Sequence, residues 1–326
     1  MMMRNASLLG LLMAASIAGP AMAQSELVET NREKVNKHVV GLMAGRPGST
    51  DLDQAYDLDI AFSDGYDLRI VPMVSQGSAK EFEDLLYLRG VDMAIIQHDV
   101  VEFMDQYQIY PGIKGSVRMI APLGTEQYHL LARKDIQSIY DLAGKKVNFG
   151  RAETGTSMTS SVVFDALGIS VDITNFNHKI ALEKMRKGEI VAMARTTGAP
   201  NSLFEGVGAD EGFHFLSVPA SGAVSGTYSE SSMSSELYPD LIAPGQLIET
   251  VGVATVLITY NWAKDHPRGQ TVEQFTKRFF SGYEKLLEDG FHESWQTIDI
   301  SEGIPGIERH WSAEEALRQI RVGSSS

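Results

Sequence analysis

A chain of 326 residues with 42 acidic against 28 basic side chains carries a formal charge of −14 and contains no cysteine. That length allows one large domain or two of ordinary size, and the acidic balance argues against nucleic acid or an anionic membrane as partner. Without cysteine there are no disulfides, no thiol catalysis and no thiolate metal sites, so stability rests on a conventional core, for which 43% hydrophobic residues suffice.

The chain opens with Arg4, the apolar run "LLGLLMAASIA" and the small-x-small "AMA" (Ala21–Ala23) before Gln24. A positive n-region, a short apolar core and a cleavage site describe a secretory signal peptide over residues 1–23 and place the mature protein in the periplasm. No later run reaches the ~18 apolar residues of a membrane span, so no direct span is expected.

From about residue 65 the pattern turns regular. "DLRIVPMVSQ" (67–76) reads as a strand and "SAKEFEDLLYLRG" (78–90) as an amphipathic helix stopped by Gly90. "VDMAIIQ" (91–97) is a strand, "HDVVEFMDQY" is helical, and "SVRMIAPLG" (116–124) is a strand again. "EQYHLLARK" (126–134) reads as a further strand, and 138–150 as a short helix, a turn and a strand. After the loop at 150–156 come a helix ending near Gly168, a helix over 179–189, a strand over 190–196 and another over 213–219. A Ser/Gly-rich stretch (219–235) leads to the apolar strand 249–260 and to helices around 270–288 and 312–321.

Alternating strands and helices predict an α/β fold of mostly parallel sheets flanked by helices. The late strand and helices have no sheet of their own and most simply return to the first unit. The expected division is residues 24–125 with 220–326 as one lobe and 126–219 as the other, with chain crossings near 124–126 and 219–222.

Three strand-to-helix loops carry the candidate chemistry, because ligands of open α/β sheets bind beyond the carboxyl ends of strands. In "NFGRAETGTSMTSSVVF" (148–164), Thr154, Thr156 and Ser157 can cap a helix, and its free N–H groups with Gly155 can bind an anion. A phosphate-binding P-loop needs Lys before the Ser or Thr, and a nucleophile elbow needs a second glycine; both are missing. A plain capped helix stays open as the alternative. The other loops are "ARTTGAPN" (194–201) and "IIQHD" (95–99).

None of the eight histidines has metalloprotease spacing, and "DLDQAYDLD" (51–59) lacks the calcium-loop glycine. No metal, cofactor or catalytic triad is expected.

"VDMAIIQHDV", "IYDLAGKKVNFGRAETGTSM", "IALEKMRKGEIVAMARTTGAPNSLFE" and "LYPDLIAPGQLIETVGVATVLIT" occur in that order between residues 66 and 260. In order and spacing the set resembles the TAXI-type solute-binding proteins of tripartite (TRAP) transporters. That family has an Asp-Leu-Ala-hydrophobic-Gln-Ser-Asp segment, so His98 stands where serine is usual. Its opening Gly/Thr-rich ligand loop is replaced here by "GLMAGRPGSTDLDQAYDLDIA" (41–61), with an acidic helix after Ser49 and Thr50, and Glu153 replaces a smaller residue.

The resemblance implies a two-lobe periplasmic binding-protein fold (type II-like) with a hinge, a non-enzymatic role and TRAP permease subunits as membrane partner. It also implies a small carboxylate ligand: an amino acid, 2-oxo acid or dicarboxylate. On this reading Gly155, Thr156 and Ser157 hold the anion, Thr196, Thr197 and Gly198 form a neighbouring polar edge, and Gln97 and His98 face them. Tyr128 is a side wall, and Arg46 or Arg151 adds a counter-charge. Two rivals remain: a periplasmic ligand sensor acting on a signalling receptor, and an enzyme with His98 or Glu153 as general base.

Overall fold

The computed structural model of the chain describes residues 18–47 and 49–323. Of the expected signal peptide, residues 1–17 lie outside the described residues, and 18–23 begin helix α1 (Ala18–Asn36). No helix among the described residues is long and apolar enough to cross a membrane.

Strand β1 (Val39–Ala44), α2 (Thr50–Phe62), β2 (Arg69–Val74), α3 (Ser78–Tyr87), β3 (Met93–Gln97) and α4 (Asp99–Gln106) follow. The sequence suggests strands at 116–124 and 126–134; the structure joins them into β4 (Val117–Arg133), 17 residues long. Next come β5 (Lys146–Asn148), α5 (Gly155–Ala166), β6 (Asp172–Thr174), α6 (His178–Arg186), β7 (Ala192–Thr197), α7 (Ser202–Glu205) and β8 (Phe213–Phe215). The chain ends with β9 (Ser229–Ser234), β10 (Leu247–Tyr260), α8 (Pro267–Ser281) and α9 (Trp311–Gly323).

Local chemistry sets several of these starts. Ser49 accepts from Leu52 N at 3.3 Å to cap α2, Asn177 accepts from Ile180 N at 3.0 Å to cap α6, and Pro267 occupies the first turn of α8. Two expectations change. Residues 41–44 belong to the buried strand β1 rather than to a ligand loop, because Leu42 and Met43 face core on both sides. Within the Ser/Gly-rich stretch, β9 forms by antiparallel pairing with β10.

One sheet runs through the molecule in the order β2-β1-β3-β10-β4-β7-β5-β6, with β8 paired to β4 and β9 to β10. In the first half β1, β2 and β3 are parallel, and β10 opposes both β3 and β4, so β4 runs with the first three. In the second half β5, β6 and β7 are parallel and β4 opposes β7, so β10 runs with them. Each half is therefore mostly parallel: β10 is the reversed strand of the first, while β4 and β9, the latter antiparallel to β10, run against the rest of the second.

Alternate residues of each strand enter different core layers, as the period of two requires. On one face of the first half, α2, α8 and α9 supply Leu58, Phe275, Phe279 and Ala313 against Leu42, Met93 and Ile95. On the other face, α3 and α4 supply Phe82, Val100 and Met104 against Ala94 and Ile96. The second half repeats the plan, with Val163 and Phe164 of α5 on one face and Leu182, Met185 and Phe204 on the other.

The expected return to the first lobe at residue 220 does not match this packing. Ala220, Val224, Tyr228 and Val251 lie in the same cluster as Tyr128 and Phe149, and Met233, Tyr238 and Leu241 lie with Phe204. The change falls inside β10, between Val253 and Ala254, where the strand passes from one core to the next.

Candidate functional site

The strand directions bring the carboxyl ends of the two halves face to face. β3 ends at Gln97, opposite Thr255, while β7 ends at Thr197, opposite Gln127 of β4. Glu126, opposite Val253, stands between those ends on the strand that joins the halves.

Loops from both sides close on this point. Arg46 Nε donates to Gln76 O at 2.9 Å, and Ser75 N donates to Gly45 O at 3.3 Å, tying the β1 and β2 loops together. A Cβ on Gly77 would touch Glu153 O and the Thr154 backbone. A Cβ on Gly155 would overlap the Gln97 carboxamide, so a larger residue there would have to turn the Gln97 side chain aside. Thr196 N donates to Thr156 Oγ1 at 3.1 Å, and Gln97 Nε2 donates to Glu126 Oε2.

Most buried side-chain polar atoms that find no hydrogen-bond partner among the described residues gather here. They are Ser75 Oγ, both carboxyl oxygens of Glu81, Gln97 Oε1, Asp99 Oδ1, Thr196 Oγ1, His178 Nε2 and Arg195 Nε. Buried polar atoms in native proteins are normally satisfied, so this concentration makes the junction the candidate ligand site.

The charged residues form a ring. Asp51 and Glu81 repel each other, Glu81 and His178 both feel Arg46, Glu126 raises Asp51, and Arg195 faces Glu126 and His178. His178 Nδ1 lies 3.4 Å from Arg195 Nη1. Burial, reinforced by Glu126, pushes Asp51 up to about 8. Burial also raises Glu81 and Glu126, and it lowers His178 to about 4, assisted by Arg195. None of Arg46, Asp51, Glu81, Glu126 and Arg195 closes an ion pair within 4.0 Å among the described residues. These ionisable groups, held without charged partners, cost the empty protein stability and are available to a ligand.

The sequence-predicted residues divide. Gln97, Gly155, Thr156 and Thr196 meet at the junction. Ser157 is placed differently from the anion-binding expectation: its N–H is spent on Thr154 O at 3.0 Å. Tyr128 is fully buried and donates to Ser160 Oγ at 3.0 Å, so it is a core residue and not a wall. His98 points into the protein, its ring nitrogens 3.2 Å from Ala254 O and 2.8 Å from Thr227 O. Arg151 is exposed and offers its carbonyl to Thr154; Thr197 Oγ1 accepts from Asn201 Nδ2 at 3.2 Å; Gly198 is exposed. Arg46 reaches the ring through its charge.

Sequence reasoning missed Asp51, Glu81, Glu126, His178 and Arg195. Asp51 in the first turn of α2 reads as a helix-dipole partner and Glu81 as a helix surface charge; nothing local marks Asp51 as half-buried or Glu81 as buried. Cavities of about 580, 510 and 260 Å³ lie elsewhere, at Arg133–Asp135 with Arg186, at His38 with Arg268, and at Phe204 with Tyr238. At the junction Gln97 packs directly against Gly155. No group of three or more metal-ligating side chains in coordinating array occurs among the described residues.

Several solved structures share a distant likeness. A TctC solute-binding protein from Polaromonas is 11% identical over 87% of this chain and 96% of its own, with a TM-score of 0.48. YhfZ from Shigella flexneri is 14% identical over 82% and 96%, also at 0.48. The periplasmic aliphatic sulphonate-binding protein SsuA from Escherichia coli is 13% identical over 76% and 71%, at 0.44. Residues 62–314, from the end of α2 into α9, match the model of the NMT1-like family, and the chain belongs to that family.

Proposed function

We propose that the chain is an extracytoplasmic solute-binding protein that captures a small carboxylate-bearing ligand between two lobes and delivers it to a TRAP-type membrane transporter. The observation that carries this reading is the convergence of unpaired buried polar groups from both halves on the junction at Gln97, Glu126 and Arg195. A ligand that bridges the halves binds the closed form better and shifts the population toward it. About 5.5 kcal/mol of differential affinity takes such an equilibrium from 1:99 to 99:1, which a few charge-assisted hydrogen bonds at about 1.5–3 kcal/mol each supply.

The ligand's carboxylate is assigned to Arg195, Thr196 and the amino end of α5, where Gly155 and Thr156 present the first turn. An enzyme is less well supported. The ring nitrogens of His98 both face backbone carbonyls, and Glu153 lies exposed outside the charged ring. The TRAP partner rests on the sequence resemblance alone, and a periplasmic sensor with the same cleft is the second reading.

The test is a thermal-shift screen of amino acids, 2-oxo acids and dicarboxylates on the mature protein, repeated with Arg195→Met. A hit that shifts the parent and not the folded variant supports the assignment. Equal shifts in both would move the carboxylate elsewhere, and turnover of a hit would establish an enzyme instead.

A further inference from the structure

Glu81 stands in the first turn of α3, just past Gly77, which faces Glu153 and Thr154 of the second half. It is 1% exposed, and neither carboxyl oxygen has a hydrogen-bond partner among the described residues. The ionisable groups that act on it are Asp51 of α2, Arg46 after β1 and Asp84 of its own helix. Arg46 is the cation of that set, but it is exposed, its Nε is given to Gln76 O, and it makes no ion pair with Glu81 within 4.0 Å.

A buried carboxylate in such a place loses its hydration and gains no partner in return, so the group keeps its proton. Burial, reinforced by Asp51, outweighs Arg46 and the nearby Ser78 hydroxyl and holds Glu81 well above the usual carboxylate range. A neutral carboxyl differs from an ionised one in carrying an O–H donor.

The free groups around it are mostly donors as well. Arg195 Nη1 donates to His178 Nδ1 at 3.4 Å, and this leaves the proton of the neutral His178 ring on Nε2. That N–H, Arg195 Nε and the hydroxyls of Ser75 and Thr196 have no acceptor among the described residues. The junction thus offers donors from both halves, an arrangement that suits the acceptor oxygens of a bound anion.

We infer that Glu81 contacts the ligand as a neutral acid, donating its O–H to an oxygen of a bound anion, and that binding is linked to uptake of a proton. Where the empty site has lost that proton, a carboxylate, a proton and the ligand anion combine into an acid hydrogen-bonded to the anion. No bond of the ligand breaks, and its charge is unchanged. The inference rests on the solute-binding reading above; it assigns the proton and leaves the identity of the ligand open.

The sign of the pH dependence follows. A bound anion favours the neutral acid further. Affinity is therefore full at low pH and falls as pH rises through the titration of the empty site, by up to ~10-fold per pH unit for each group concerned. Asp51 and Glu126, also raised by burial, act in the same sense, whereas His178, lowered to about 4, stays neutral over the same interval.

The test is calorimetric titration of the mature protein with glutarate, 2-oxoglutarate and pyruvate from about pH 6 to about pH 9, where all three anions are fully ionised. Buffers of different protonation enthalpy count the protons exchanged. The parent should take up protons toward the upper end while its affinity falls. Glu81→Gln, whose amide donates but does not titrate, should take up as much as about one proton fewer and flatten the fall. Glu81→Leu, with no donor, should bind ~10-fold or more weakly than Glu81→Gln at about pH 6. Thermal midpoints without ligand establish that each variant is folded, and the glutamine variant decides if the leucine variant is not. Parent affinity that is level or rises with pH, or net release of protons, overturns the donor assignment and leaves the solute-binding reading standing. Equal uptake and slope in the parent and Glu81→Gln also overturn it. If none of the three anions binds, both are overturned.

Discussion

Thr159, on α5, donates its hydroxyl to Asp99 Oδ2 at 2.6 Å, and both side chains are fully buried where the two halves meet. Tyr228 donates to the same oxygen at 2.9 Å, while Asp99 Oδ1 has no partner. Asp99 starts α4 in the first half, whereas Thr159 and Tyr228 pack with the second, so this carboxyl binds one core to the other. Burial raises it above the usual carboxylate range, and the two hydroxyls and His98 pull it back. Thr159→Val keeps the shape and removes one donor. Urea unfolding should show a loss of about 1–3 kcal/mol; no change in midpoint would mean that the bond contributes nothing net.

The empty protein should lose stability as pH rises toward 8. Asp51 stands near 8 when folded against an ordinary 3.8, so the folded chain holds a proton that the unfolded chain releases. Stability then falls across that interval by up to about 1.4 kcal/mol per pH unit for such a group. His129, His178 and His310 act in the opposite sense, because desolvation lowers each to about 4; their contribution grows only up to their ordinary 6.5. Between pH 6.5 and 8 the acids act alone. Thermal midpoints there should decline with pH, and Asp51→Asn should flatten the decline. A parent profile that is level or rising in this window would contradict the raised state of Asp51.

Gly41 in β1 faces the backbone of Gly90, and a Cβ at 41 would fall inside the envelope of the Gly90 carbonyl. The same residue donates its N–H to Asp92 Oδ2 at 3.0 Å, and Asp92 N returns a bond to Gly41 O at 2.8 Å. Backbone cannot step aside as a side chain can, so Gly41→Ala should cost about 1–3 kcal/mol or more from overpacking. Denaturant titration checks this; a variant as stable as the parent would show that β1 and the turn before β3 move apart freely.

Gly155→Ala should behave differently. Its Cβ meets only the tip of the Gln97 side chain, which can rotate away, and alanine suits a helix. Stability should change by less than ~1 kcal/mol, while affinity for any hit of the ligand screen drops because Gln97 is displaced from the junction. Unchanged affinity with Gln97→Ala as well would remove both residues from the site.

Much of the framework is legible in the residues. The apolar runs 91–97 and 249–260 and the faces of α3 and α6 follow their periods, and the loops at 154–157 and 196–198 lie at strand ends, where the structure joins Thr156 to Thr196. The charged ring is not legible. Glu126 sits between Gly124 and Gln127, a segment that reads as a break between two strands and is in fact the middle of one. Arg195 follows a run of buried small and apolar residues and looks like a strand end turning to water. These residues become a site only through the facing of β3 and β7 across β4, which no local pattern encodes.

The two halves are connected by a ribbon and not by a tether. β4 and β10 stay hydrogen-bonded to each other as they pass from one core to the next, and their pairing slips register between Thr255 and Val256 and again between Leu257 and Ile258. A bonded pair of strands resists sliding and swivelling but bends, most easily where the ladder is already interrupted. Glu126 lies on that ribbon beside the slips. A bend at these slips would turn the two halves about a line next to Glu126, so a residue that faces the junction also stands at its fulcrum.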